Sequence, residues 1–168
     1  MRRFVAILSI VTSVIAFSGA FSGAASARNI IETMRDSDSF RQFMKAVDVA
    51  GLGPALSGEG PFTIFVPTDE AFSKIPKAAL NDLLQPHNKE KLTKFLRHHV
   101  LNGLVVSRDF LGRRLEAIPL DGEALLLDAR TQLKIGTAKI IRTDLLASNG
   151  VIHIIDAVLI PSFDEVPQ

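Results

Sequence analysis

Apolar positions between residues 40 and 47 recur with helical spacing. Phe40, Phe43, Met44 and Val47 stand at i, i+3, i+4 and i+7, one stripe of an amphipathic helix. Ser37 to Ser39 offer caps before it, and Gly51 and Gly53-Pro54 end it. A shorter helix opens at Ile30-Ile31, capped by Asn29, and Leu52 and Leu56 are expected to pack beneath the loop 57–61. Residues 62–66 then read as a short strand, aromatic and β-branched. Pro67 stops it, because proline has no N–H for a ladder. Thr68 or Asp69 caps the next helix, where Asp69 and Glu70 suit the positive end of the helix dipole. Pro76 restarts the chain into a helix through Leu84. A third helix is predicted over 88–99, with Leu92, Phe95, Leu96 and His99 as its apolar stripe.

From Val100 the period shortens. Strands are predicted at 100–101, 104–106, 115–120, 123–128, 132–135 and 138–143. Asn102-Gly103, Asp121-Gly122 and the segment 147–150 supply turns. The run 151–160 is apolar on both faces, so it should be central or covered on both sides, with Pro161 as its stop. Helices first and strands later make the fold class α+β, with helices packed on a mostly antiparallel sheet or pair of sheets.

The first residues follow another logic. Arg2 and Arg3 precede an apolar run over 4–17, and small residues lead to Ala25-Ser26-Ala27. This is the pattern of a secretory signal peptide with cleavage after Ala27. The expected organisation is a leader at 1–27, one domain at 28–162 and a polar tail at 163–168. Removing 27 of 168 residues leaves 141, and without Arg2 and Arg3 there are 17 basic and 18 acidic side chains, a net charge of −1. One domain of that size buries roughly two thirds of its unfolded surface. The balance argues against nucleic acid as a partner, which demands an excess of Lys and Arg. There is no cysteine, so disulfides, thiolate metal sites and a cysteine nucleophile are excluded. No second hydrophobic segment follows the leader, and an integral membrane protein is not expected. An exported location, periplasmic or secreted, is.

Candidate chemistry is sparse. The histidines are His87, His98, His99 and His153. His98 and His99 are adjacent, so on a helix they point about 100° apart and cannot easily share one ion. No carboxylate stands at helical ligand spacing beside them. Structural histidines are the favoured reading, with no metal and no cofactor. There is no G-x-S-x-G elbow for a hydrolase, no phosphate loop and no dinucleotide fingerprint. His153 and Asp156 lie three apart in an extended run and so face opposite sides; each is expected to tie a neighbouring loop to the sheet. Lys91, Lys94, Arg97 and His98 fall on the polar side of the third helix; the favoured reading is a solvated face, and the alternative is a basic landing patch for an acidic partner or a glycan. Arg-Gly-Asp and N-x-[ST] are both absent.

Two stretches and a pair of histidines carry a resemblance. Thr63-Ile64-Phe65-Val66-Pro67-Thr68-Asp69-Glu70-Ala71-Phe72 resembles the strand–turn–helix signature of the fasciclin (FAS1) family of extracellular adhesion modules. Asn149-Gly150-Val151-Ile152-His153-Ile154-Ile155-Asp156-Ala157-Val158-Leu159-Ile160-Pro161 resembles that family's second signature. His98-His99 stands at the place of its Tyr-His pair, with His98 for the tyrosine. The resemblance covers roughly residues 29–161. It implies a wedge of two small, mostly antiparallel β-sheets with helices on one side. It also implies an Asp69–His99 contact, and a non-enzymatic role in adhesion or protein recognition outside the cytoplasm. The partner would be an extracellular or cell-surface protein or glycan, contacted through His98, His99, Lys91, Lys94 and Arg97, with self-association open. The alternatives from other classes are a periplasmic carrier with an apolar cleft and, behind it, a hydrolase.

Overall fold

A computed structural model describes residues 27–163; nearly all of the expected leader, and residues 164–168 of the expected tail, lie outside the described residues. The first helix, α1 (Ile30–Arg35), starts where the sequence places it. The Asn29 side chain accepts the Glu32 N–H, and the Glu32 carboxylate accepts the Asn29 N–H, a reciprocal cap. A 3-10 turn at Asp38–Phe40 leads into α2 (Arg41–Ala50), whose stripe Phe43, Met44 and Val47 is buried. Gly51 ends α2 at φ 74°, a conformation that other residues resist. A short α3 (Gly53–Leu56) follows, then β1 (Phe62–Pro67), α4 (Asp69–Ser73), α5 (Lys77–Leu83) and α6 (Lys89–Arg97).

The remaining elements are β2 (Val100–Asn102), α7 (Ser107–Phe110), β3 (Arg114–Ala117), β4 (Leu125–Asp128), β5 (Lys134–Ile135), β6 (Ala138–Ala147) and β7 (Gly150–Ile155). The seven strands run in the order β2-β1-β7-β6-β5-β4-β3. Only β1 and β7 pair in parallel, from Phe62↔Gly150 to Pro67↔Ile155; the other pairings are antiparallel. Two sheets share β6. Its first residues pair with β5 and its remainder with β7, with register shifts on either side of Arg142. Bulges of this kind bend and twist a strand, so one strand serves both sheets and the class is α+β as read. Beyond β3 the chain returns to β2: Leu101 bridges Pro119, and the Leu120 N–H reaches the Val100 carbonyl at 2.8 Å.

Alternation along β1 and β7 divides the core. Ile64, Val66 and Ile152 face the helices and meet Phe43, Phe72, Phe95 and Leu96. Phe65 and Ile155 face the other way, toward Phe110, Leu127, Ile135, Ile140 and Leu159. The central strands are therefore buried on both sides, which is why 151–160 lacks the two-residue alternation of a half-exposed strand.

Three strand expectations need correction. Residues 104–106 form no strand. The Val105 N–H goes to the Thr63 hydroxyl and the Val105 carbonyl to the His153 ring, so side chains take the bonds a ladder would have used. The long run ends at Ile155, not at Pro161. There the Asp156 N–H bonds the Lys139 carbonyl, the Asp156 carboxylate accepts the Lys139 N–H, and the chain leaves the sheet. Likewise β3 ends at Ala117, because Pro119 and Leu120 turn toward β2.

Candidate functional site

The signature side chains build hydrogen bonds between elements that are distant in sequence. Thr63, buried in β1, donates to the Gly103 carbonyl at 2.7 Å and accepts the Val105 N–H at 2.9 Å. Thr68 caps α4 by accepting the Ala71 N–H, and Phe72 packs inward against Phe95. Asn149 accepts the Ile30 N–H and donates to the carbonyls of Leu56 and Gly58, each at 2.9 Å. One side chain thus joins α1, α3 and the start of β7. Gly150 is required by proximity and not, as its place in a turn suggested, by a positive φ: a Cβ there would lie 2.0 Å from the Phe62 oxygen.

His99 is fully buried beside Phe43 and Phe95. Its Nε2 accepts the Leu159 N–H at 3.0 Å, so Nδ1 carries the proton and donates to the Phe95 carbonyl at 2.8 Å. Burial drives its pKa down to about 3, against the raising effect of the Phe95 carbonyl. The expected Asp69–His99 contact is absent. Asp69 instead accepts the Gln42 N–H at 2.8 Å, in the first turn of α2. That helix has no side-chain cap of its own, and the carboxylate of another element supplies one.

His153 lies between Phe65 and Phe110. Its Nδ1 accepts the Asp144 N–H and its Nε2–H donates to the Val105 carbonyl at 2.8 Å. Burial again lowers its pKa. Asp144 sits at φ 59°, a left-handed conformation that Asp tolerates better than most residues. Its carboxylate accepts both the Ser107 N–H and the Ser107 hydroxyl. Burial raises the Asp144 pKa, but these bonds and the nearby His153 outweigh it and hold the carboxyl below its usual range. Serine, aspartate and histidine therefore meet without forming a nucleophile relay, since the serine donates to the carboxylate and the imidazole faces backbone groups. His153 and Asp156 bond to different segments, and Asp156 lies just past the end of β7. The first ties the loop before α7, the second ties β6.

His98 is placed differently from the expectation of an exposed contact. It follows the last residue of α6 as the helix cap. The 118–124 connection between β3 and β4 folds over it, and Asp121 accepts from its Nδ1 at 2.7 Å, with both side chains 1% exposed. A helical projection fails there because the helix has ended. With His99 also buried, neither histidine is available as a surface contact. Glu123 stands beside this pair and accepts both the N–H and the hydroxyl of Ser162 at 2.8 Å, which hold its carboxyl below the ordinary range. The nitrogen of His98 and carboxylate oxygens of Asp121 and Glu123 all lie within 4.8 Å of one another. Helical spacing could not reveal these carboxylates, because they come from the strand connection.

The outer face of α6 is open to a partner. Between it, the turn Pro86–Asn88 and the β3–β4 connection lies a groove of about 680 Å³, lined by the cations Lys89, Lys94 and Arg97, the acids Glu90 and Asp121, and His87 and Leu120 among others. Lys89 belongs to it, whereas Lys91, exposed on the same helix, is not in its lining. Among the described residues, Lys89, Lys91, Lys94 and Arg97 form no salt bridge. A larger groove of about 840 Å³ is lined by loop residues of mixed polarity, including Glu32, Glu59, Leu104 and Asn149. Among the described residues no helix is long and apolar enough to cross a membrane.

A sheet wedge backed by helices and stitched by buried polar side chains defines the class, and comparison with known proteins places it. The Fasciclin domain model matches residues 38–161, and the chain belongs to that family. Protein sll1483 of Synechocystis is 41% identical over 137 residues, covering 81% of this chain and 75% of its own. Human periostin is 33% identical over 144 residues, covering 81% of this chain but only 16% of periostin. Among solved structures, the FAS1 domain pair of the insect cell adhesion molecule Fasciclin I shares the fold. Its TM-score is 0.63 at 17% identity, over 80% of this chain and 51% of that one.

Proposed function

We propose that the chain is an exported, non-enzymatic recognition module of the fasciclin type that binds an acidic extracellular or cell-surface protein or glycan through the outer face of α6. Export follows from the leader at 1–27, with the domain at 28–162 as the mature unit. The observation that carries the reading is a division of labour. The polar signature residues Thr63, Asp69, His99, Asn149, His153 and Asp156 are engaged in bonds that hold the scaffold. Lys89, Lys94 and Arg97 of α6, free of salt bridges among the described residues, line a groove, and Lys91 is exposed on the same helix. A recognition domain needs that combination of rigid frame and unneutralised surface. Fasciclin I is a cell adhesion molecule, and the extension to this chain rests on shared fold and family.

The test is retention on an immobilised polyanion, dextran sulfate, as a function of salt. The combined variant Lys89→Glu, Lys91→Glu and Arg97→Glu leaves every described hydrogen bond of the scaffold in place. It should elute at markedly lower salt with an unchanged melting temperature. Equal elution of variant and parent would refute the α6 face as the recognition surface.

A further inference from the structure

We infer that His98, Asp121 and Glu123 form a binding site for a divalent first-row transition cation, with Zn²⁺ as its test ion. The donor set is one imidazole nitrogen and two carboxylates, the mixture that such ions accept. It is assembled from separate elements: His98 from the end of α6, the two acids from the β3–β4 connection. Two of the three side chains are already desolvated, at 1% exposure each, and locked together at 2.7 Å. The outer shell is present as well. The Glu123 N–H lies 3.4 Å from Asp121 Oδ1, and Ser162 donates twice to the Glu123 carboxylate. Each carboxylate oxygen keeps a second lone pair, so these bonds orient the ligands without consuming them.

The geometry asks for little movement. Ligands about 2.1 Å from zinc stand roughly 3–3.6 Å apart, and the three donor atoms lie within 4.8 Å of one another. A shift of about 1 Å by the half-exposed Glu123 side chain closes the gap. Coordination through Nδ1 puts the ion where the N–H bonded to Asp121 had been, and the ring keeps its one proton on Nε2. Two carboxylates and a neutral imidazole balance the charge of the ion. The Lys94 ammonium, whose charge reaches Glu123, is held on the Ser162 carbonyl. An ion there would fasten the C-terminal end of α6, the β3–β4 connection and, through Glu123, Ser162. This site adjoins the polyanion surface, since Asp121 also lines the groove beside α6, but the polyanion test changes none of its ligands.

The experiment is titration calorimetry of the purified, chelator-stripped protein with ZnCl₂, paired with the visible spectrum after Co²⁺ loading and with thermal melts. One equivalent should bind, raise the melting temperature and, as Co²⁺, give visible d–d bands. Glu123→Gln changes a half-exposed side chain. It should keep the metal-free melting temperature and weaken Zn²⁺ at least tenfold, the usual minimum for a lost ligand or second-shell group. His87→Gln, removing the exposed imidazole, should change neither. No stoichiometric binding, equal binding by Glu123→Gln, or loss of binding in His87→Gln would overturn the assignment.

Discussion

Asp69 shows how a residue type can be read correctly while its partner is not. Its place after Thr68, at a helix start, marks a carboxylate that satisfies open N–H groups. Which helix it serves is a tertiary fact: it reaches Gln42 in α2, 27 positions back in the chain. Asp69→Ala should cost about 1 kcal/mol, the usual effect of losing a helix cap. Asp69→Asn should recover most of it, because an amide oxygen still accepts the Gln42 N–H. Chemical denaturation of the two variants checks this; equal losses would mean that the negative charge, not the acceptor, does the holding. His98 went unread for a related reason. Its helix ends one residue earlier, and the residue that covers it, Asp121, sits in a stretch whose Asp-Gly pair signals a turn. A buried hydrogen bond between a helix cap and a turn leaves no periodic trace in sequence.

At the scale of elements, the long periodic segments were legible. The stripes of α2 and α6, the caps of α1 and α4 and the double-sided burial of β7 follow directly from spacing. The elements that escaped are short or side-chain-bound: α7 has four residues, too few for a period, and 104–106 spend their backbone groups on Thr63 and His153. The parallel pairing of β1 with β7 was not legible either, since residues 68–149 separate them. Its starting point rests on Gly150. Gly150→Ala would drive a methyl group to 2.0 Å from the Phe62 oxygen and 2.8 Å from Ile30. The backbones must part, and the loss should be at least ~2 kcal/mol. Hydrogen exchange should show reduced protection at the Gly150 end of β1 and β7 and near-parental protection in β3 and β4. Uniform protection with parental stability would contradict the close approach.

For the molecule as a whole, the buried imidazoles set the acid limit. In the unfolded chain a histidine titrates near 6.5, whereas His99 in the fold titrates at about 3, and His153 shifts in the same direction. Below pH 6.5 the unfolded state binds more protons than the folded one. The stability contributed by neutral His99 is therefore complete above pH 6.5 and lost progressively down to pH 3. That loss is on the order of 4 kcal/mol, enough to unfold a domain of ordinary stability. Urea midpoints should be level between pH 7 and 8 and fall steadily below 6.5, and His99→Gln should start lower but fall less. Hydrogen bonds occupy both ring nitrogens of His99 and of His153.

The most direct test is the protonation state of His99 itself, read by long-range ¹H–¹⁵N correlation of its imidazole during acidification. If the signature histidine is an architectural tie, the ring remains neutral with its proton on Nδ1 until the fold fails, and replacing Asp69 by Ala leaves its shifts in place. A ring that takes up a proton near pH 6.5 in the folded protein, or that carries its proton on Nε2 in contact with Asp69, would contradict it.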